Sequence, residues 1–325
     1  MLGRIMVPLD GSAFAETALP TATLLARRYG SGIYLVRVHD PQLPVTPEGA
    51  AVYDVAIDRE LEQEGRRYLD LVLGRIEASE RWRTVTAYLR GPVTETLSSY
   101  AREQDIDLAV MTTHARAGVS RAWLGSVADG LVRNSVAPVL LVPPKREAPA
   151  APAPAPVFRR VLLPLDGGAA EDRMIEHAIT VAGTTEVEYT LLRVVTSGAP
   201  SVRPPRPRRG KDPGSRMQRN TVEVALNVKA DEIRARGVQV RSEVVVNNDA
   251  AEGILAYAAA NEFDLVAMAT RSRGGLERML LGSVADRVLR KTETALLLWN
   301  PGQTLGPELA ETPAILAATP APARP

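Results

Sequence analysis

Two hydrophobic rhythms alternate along the chain. Short apolar runs are separated by longer stretches in which apolar positions return every three or four residues, the periods of buried strands and of amphipathic helices. The first run, Gly3 to Leu9, reads as a strand that ends near Pro8. Ala13 to Tyr29 has helical spacing (Leu19, Ala22, Leu25, Ala26, Tyr29) and is closed by Gly30 and Gly32. Ile33 to Val38 is a second strand, Asp54 to Glu80 a long charged helix, and Trp82 to Leu89 a third strand. Val93 to Gln104 is helical, and Asp107 to Met111 is a continuous apolar strand. A loop from Thr112 to Ser120 leads to a helix ending near Asn134, and Val139 to Val142 is the last strand. Strand and helix in strict alternation predict an α/β domain, a five-stranded parallel sheet flanked by helices. Runs such as LAVM and VLLV suit strands buried on both faces.

The pattern then restarts. VLLPLDGG from Val161 repeats IMVPLDGS from Ile5, DLVAMATRSRGG from Asp264 repeats DLAVMTTHARAG from Asp107, and LGSVAD occurs at Leu124–Asp129 and again at Leu281–Asp286. The 325 residues therefore divide into two similar domains, 1–143 and 158–300. Between them, 144–157 is a Pro/Ala spacer that favours an extended course, and 301–325 is a second Pro/Ala-rich stretch predicted to be disordered. The copies differ in their middle. Where the first has the proline-bearing flap Pro41 to Gly49, the second has the basic segment Ser201 to Arg219, either a solvated loop or a flap over an anionic partner.

Composition narrows the chemistry. A chain without cysteine has no disulfide, thiolate metal site or thiol nucleophile, and His39, His114 and His177 lack metal-ligand spacing. The net charge of +1 carries no sign of a nucleic-acid partner, and no apolar run is long enough to span a bilayer, so a cytoplasmic protein is expected. Neither GxxxxGK[ST] nor GxGxxG occurs after a strand, no Ser-His-Asp set recurs in both copies, and nothing marks a base that would activate water. A catalytic role is not expected, beyond slow hydrolysis of a bound nucleotide.

Two recurrent elements carry candidate binding chemistry. Asp10 and Asp166 end the first strand of each copy, the edge at which open parallel sheets receive ligands. A carboxylate there can take hydrogen bonds from a ribose or hold a metal-bound water; its plainer role is to cap the next helix. Gly125-Ser126-Val127 and Gly282-Ser283-Val284 open a helix, where free N–H groups and the helix dipole favour an anion. The plainer role of the serine is to cap its own helix.

At this second element the chain resembles the universal stress protein family, whose ATP-binding members carry Gly, two residues, Gly, nine residues, then Gly-Ser or Gly-Thr after the fourth strand. The final pair maps to Gly125-Ser126 and Gly282-Ser283. Thr112 and Ala115 stand at the earlier glycine positions of the first copy, Ala269 and Ser272 at those of the second. Both replacements at the second glycine are small, so close backbone approach survives there if φ is negative. The resemblance covers nearly all of both copies, including the VPLDGS start. It implies two tandem Rossmann-like domains of the adenine nucleotide alpha hydrolase type that bind ATP, ADP or AMP, with Mg, in a regulatory stress role; a non-binding scaffold of the same fold is the alternative. The implied site takes Pro8, Leu9 and Asp10, with Pro164, Leu165 and Asp166, at the ends of the first strands. Val38 and Val194, with Met111 and Met268, would line the adenine slot, although the methionines serve equally as core filling. Arg116 and Arg273, next to Ala115 and Ser272, would meet a terminal phosphate or remain in solvent. The family also implies pairing of fifth strands, here as an intramolecular pseudo-dimer across the spacer or as a homodimer between chains.

Overall fold

A computed structural model of the chain describes residues 2–41, 55–76, 83–113, 125–144, 158–196, 213–270 and 282–303. The flap from 42, the spacer from 145, the basic segment up to 212 and the tail from 304 lie outside the described residues. The chain forms two compact units, and each holds one copy of the repeat.

In the first unit the elements are β1 (Arg4–Pro8), α1 (Ala13–Glu16), α2 (Leu19–Tyr29), β2 (Gly32–His39), α3 (Val55–Arg75), β3 (Thr84–Arg90), α4 (Val93–Glu103), β4 (Leu108–Thr112), α5 (Ser126–Asn134) and β5 (Val139–Val142). Its strands lie in the order β3-β2-β1-β4-β5, all parallel. The second unit repeats this with β6 (Arg160–Leu165), α6 (Glu171–Ala182), β7 (Glu188–Thr196), α7 (Pro213–Arg234), β8 (Gln239–Asn247), α8 (Ala250–Ala260), β9 (Leu265–Ala269), α9 (Ser283–Lys291) and β10 (Ala295–Trp299). Its order is β8-β7-β6-β9-β10, again parallel. The alternation read from the sequence is thus the observed α/β fold. In both units the strand order reverses between the two central strands, β1 and β4 or β6 and β9, and the carboxyl edge at such a switch point is where open parallel sheets receive ligands.

One carboxylate in each unit sets the register of those strands. Asp107 Oδ2 accepts the backbone N–H groups of Gly3 at 2.8 Å and Arg4 at 2.9 Å, just before β4 and at the start of β1. Asp264 Oδ2 does the same for Arg159 and Arg160, both at 2.9 Å. A charged acceptor on two otherwise orphaned donors is among the stronger hydrogen-bond arrangements.

The helix expected over Ala13 to Tyr29 is broken. Pro20 has no N–H to continue the ladder back to Glu16, so α1 stops at Glu16 and α2 restarts at Leu19 with Pro20 in its first turn. Helix α3 ends at Arg75, short of the Glu80 expected from the pattern.

Two packing details have measurable consequences. Gly65 lies on the face of α3 that meets β3, and a Cβ there would fall inside the Tyr88 ring. Replacing Gly by Ala in a helix gains about 1 kcal/mol of propensity, but here the overpacking costs about 1–3 kcal/mol. Gly65→Ala should therefore lower the thermal midpoint of the first domain, and a raised midpoint in calorimetry would show that Tyr88 moves aside freely. In the second unit, the His177 ring packs 4.9 Å from Trp299, with its Nε2 buried and unpartnered. Burial, then the nearby Arg173 charge, pushes its pKa down to about 4. The unfolded chain protonates this group near the ordinary value of 6.5, so between about pH 6.5 and 4 the unfolded state holds more protons and stability falls as the pH falls. The melting temperature of the second domain should drop between pH 7 and pH 5, and His177→Leu should flatten that slope; an unchanged slope would assign it to other groups.

Candidate functional site

The end of β1 forms a tight turn onto α1. Leu9 N–H continues the ladder to the Val36 carbonyl at 2.8 Å, so the chain leaves the sheet at Asp10. Asp10 does not cap the helix. Its Oδ1 accepts the Ser12 N–H at 2.8 Å and the Ser12 hydroxyl at 2.6 Å, and Ser12 is the N-cap, accepting from Ala15 N–H at 3.1 Å. Asp10 is exposed, and its Oδ2 has no partner among the described residues. Beside it, β4 ends in Met111, 9% exposed, and Thr112, whose hydroxyl pairs with that of Thr17 at 2.8 Å. Val38 lies half-buried one strand further, on β2.

Helix α5 starts at the same rim. Its N-cap is Gly125, with φ −59° and ψ 147°, and among the described residues no side chain caps its first turn. Ser126 is the first helical residue and is exposed. The plainer role for this serine is thus excluded: it does not cap its own helix, and the first-turn N–H groups receive no side-chain acceptor from it. Helix α9 begins in the same way, with Gly282 at φ −57° and ψ 140°, no side-chain cap among the described residues, and an exposed Ser283. Val127 and Val284 follow, half-buried.

In the second unit the turn after β6 differs. Gly168 stands where Ser12 stands, so the Ser12 hydroxyl has no counterpart; Asp166 Oδ1 accepts the Gly168 N–H at 3.0 Å. Pro164 is half-buried, Leu165 buried and Val194 half-buried, while Met268 is 5% exposed and Ala269 half-buried at the end of β9. The structure thus brings the predicted strand-end residues of each copy to one sheet edge: Pro8, Leu9, Asp10, Val38, Met111 and Thr112 in the first, and Pro164, Leu165, Asp166, Val194, Met268 and Ala269 in the second. Ala115, Arg116, Ser272 and Arg273 lie outside the described residues.

Sequence reading passed over one residue at this edge in each copy. Arg37 and Arg193 each precede the half-buried valine of the second strand, in LVRV and LLRV, at the same spacing from the turn aspartate. Gly11 has φ 94°, and the Arg37 guanidinium lies flat against it: a Cβ would meet Nη1, Cζ and Nη2 at 3.3, 3.4 and 3.4 Å. Gly167 has φ 86°, and a Cβ there would meet Arg193 Nη1 at 2.9 Å. Only glycine combines this left-handed turn with a guanidinium stacked on its Cα. The repeated arginine was the available signal. Arg37 also stacks 5.1 Å from the Tyr68 ring centre. Burial, followed by the Glu16 and Asp10 carboxylates, raises the Tyr68 hydroxyl above its ordinary pKa, so it is a neutral donor.

A second cluster belongs to the first unit alone. Asp58 on α3 is buried and pairs with Arg90 at the end of β3, and its Oδ1 lies 3.5 Å from His39 Nε2. Burial, then the Arg90 charge, lowers the His39 pKa, which keeps the imidazole neutral at neutral pH. Among the described residues no group of three or more His, Cys, Asp or Glu side chains is placed to hold a metal ion, and no helix is long and apolar enough to cross a membrane.

Comparison with known proteins agrees with this architecture. A sequence model of the universal stress protein family matches residues 1–143 and, a second time, residues 158–299. A universal stress protein of Mycobacterium tuberculosis is 26% identical over 316 residues, covering 90% of this chain and 94% of that protein. A shorter universal stress protein of Methanocaldococcus jannaschii is 31% identical over 149 residues, 44% of this chain and 84% of its own length. The crystal structure of a universal stress protein from Archaeoglobus fulgidus superposes with a TM-score of 0.66 at 19% identity, over 92% of this chain and 99% of that one, which supports the fold. With a family match on each of its two α/β units, the chain belongs to the universal stress protein family as a tandem, two-domain member.

Proposed function

We propose that the chain binds an adenine nucleotide, ATP or its hydrolysis products, at the carboxyl rim of its sheets, and that it acts as a nucleotide-dependent regulatory module in a stress response. The observation that carries this reading is the start of α5. A helix N-terminus with no side-chain cap among the described residues stands at the switch point of a parallel sheet, on the same edge as a carboxylate with one oxygen unpartnered among them. The residues present suit the group: Gly125, Ser126 and Val127 would offer N–H donors to phosphate, and Asp10 would take a ribose hydroxyl or a Mg-bound water. Val38, Met111, Pro8 and Leu9 would supply the apolar slot for the base. In the second domain Gly282, Ser283, Val284, Asp166, Val194, Met268, Pro164 and Leu165 have the same placement. Thr112 and Ala269 border the slot, and by their place in the sequence motif Ala115, Arg116, Ser272 and Arg273 are assigned to the phosphates. With no base assigned to activate water, the reading is binding rather than turnover.

The decisive test uses the backbone at Ser126. Proline is tolerated at the first helical position, and Gly125 already has the extended ψ that a residue before proline requires. Ser126→Pro should therefore leave the melting temperature nearly unchanged while removing one N–H from the phosphate site. Calorimetric titration with MgATP should show affinity at this site falling about ten-fold, or roughly 1.4 kcal/mol, and Asp10→Ala should weaken it by a similar factor. Gently purified protein should carry adenine nucleotide on mass spectrometry; if it carries none and MgATP produces no heat, the binding reading is wrong and the scaffold alternative stands.

A further inference from the structure

Asp10 and Asp166 each stand before a glycine that cannot hold a turn by itself. Gly11 has φ 94° and Gly167 φ 86°, yet glycine takes either sign of φ at similar cost. A flip at Gly11 would break the bonds from Ser12 to Asp10 Oδ1, and the carboxylate would lose its direction. In both copies an arginine on the second strand fills the space against this glycine. Arg37 presents Nη1, Cζ and Nη2 to Gly11, and Arg193 presents the same atoms to Gly167. Side chains alternate along a strand, so Val38 and Val194, next in line, point to the other face of the sheet. The arginines therefore lie against the turn and outside the slot assigned to the base. What holds each arginine differs. Arg37 rests on Tyr68 of α3, 5.1 Å from the ring centre. Arg193 Nη2 donates to Oε1 of Glu171, a buried residue in the first turn of α6, at 3.2 Å, and the same oxygen accepts the Gly167 N–H. An aromatic ring from one helix and a carboxylate from another thus bring the same group to the same glycine. The element common to both copies is the contact itself, the part that the turn needs.

We infer that Arg37 and Arg193 are positioning residues: each locks the left-handed glycine that follows the aspartate and so aims Asp10 or Asp166 at the sheet edge. The inference rests on the nucleotide-binding reading for what the carboxylate meets, whereas the lock is a property of the ligand-free chain. The plane of the guanidinium does this, not its charge. At Gly11 its atoms stand 3.3, 3.4 and 3.4 Å from where a Cβ would lie, so one flat group covers that side of the residue. An ammonium offers a single nitrogen on a flexible stem and cannot cover the same surface. The glycine and the arginine are thus two halves of one device. Only a residue without Cβ lets the plane approach, and only the plane removes the freedom that glycine brings.

The first measurement needs no ligand. Amide hydrogen exchange of the full chain reports on Ser12, whose N–H is held by Asp10 Oδ1 at 2.8 Å. Arg37→Lys keeps the charge and loses the plane. Ser12 should then exchange about ten-fold faster, while the strands of the first domain keep their protection and show that it is folded. The second measurement is MgATP titration of the full chain, the first site being the one that Ser126→Pro weakens. Arg37→Lys should weaken this site about ten-fold. In an Asp10→Asn background it should cost nothing further, because the oxygen that the arginine aims is already gone. Asparagine keeps an oxygen for Ser12, so the turn itself survives. Tyr68→Leu removes the support of the arginine, leaves the turn sequence untouched, and should shift both readouts in the same direction. Unchanged Ser12 exchange in both Arg37→Lys and Tyr68→Leu would overturn the lock. Equal losses of affinity with and without the Asp10 carboxylate would overturn the aiming. If the native chain binds no MgATP, the nucleotide reading falls, and the exchange result still decides whether the arginine sets the turn.

Discussion

A single carboxylate per domain fixes where everything else falls. Asp107 and Asp264 each hold two consecutive backbone N–H groups at the start of the neighbouring central strand, and the backbone bonds Asp107 N–H to Arg4 O and Asp264 N–H to Arg160 O, both 3.0 Å, continue the alignment. A parallel pair has no hairpin to set its register, so a fixed point at the amino end has to do so. Once β1 and β4 start level, Asp10 and Thr112 leave the sheet at the same edge. The rim geometry follows from a contact at the other end of the strands.

The fold was largely legible because buried parallel strands write themselves as uninterrupted apolar runs. LAVM and VLLV correspond closely to β4 and β5, and the repeat of PLDG and LGSVAD announced the second domain. What the pattern misjudged were events that depend on one atom. The missing amide hydrogen of Pro20 divides an otherwise periodic stretch into α1 and α2. The serine of LGSVAD looks like a cap by residue type, yet the chain enters the helix one residue earlier, at Gly125, so the hydroxyl has no capping role.

The candidate site was legible as residue types and illegible as partnerships. Asp10 was singled out from its place at a strand end, but its bond to Ser12, which leaves one oxygen free, requires the turn itself. Arg37 and Arg193 interrupt apolar strands and read simply as positions near a sheet edge. Their contact with Gly11 and Gly167 joins residues far apart in sequence and depends on a backbone handedness that no residue pattern states. Glu171 illustrates the same limit: one acidic residue at a helix start is unremarkable until it is found on the same glycine as the arginine.

The position of the Asp107 and Asp264 clamps bears on how such a duplicated chain can change over time. At ~3.3 Å per residue, a five-residue strand separates clamp and rim by roughly 16 Å, so substitutions at the two ends should act nearly independently on stability. Either copy can therefore lose, invert or retune its ligand chemistry while its foldability is preserved at the opposite end. Gene duplication of such a domain supplies one copy to keep the ancestral task and another that is free to explore.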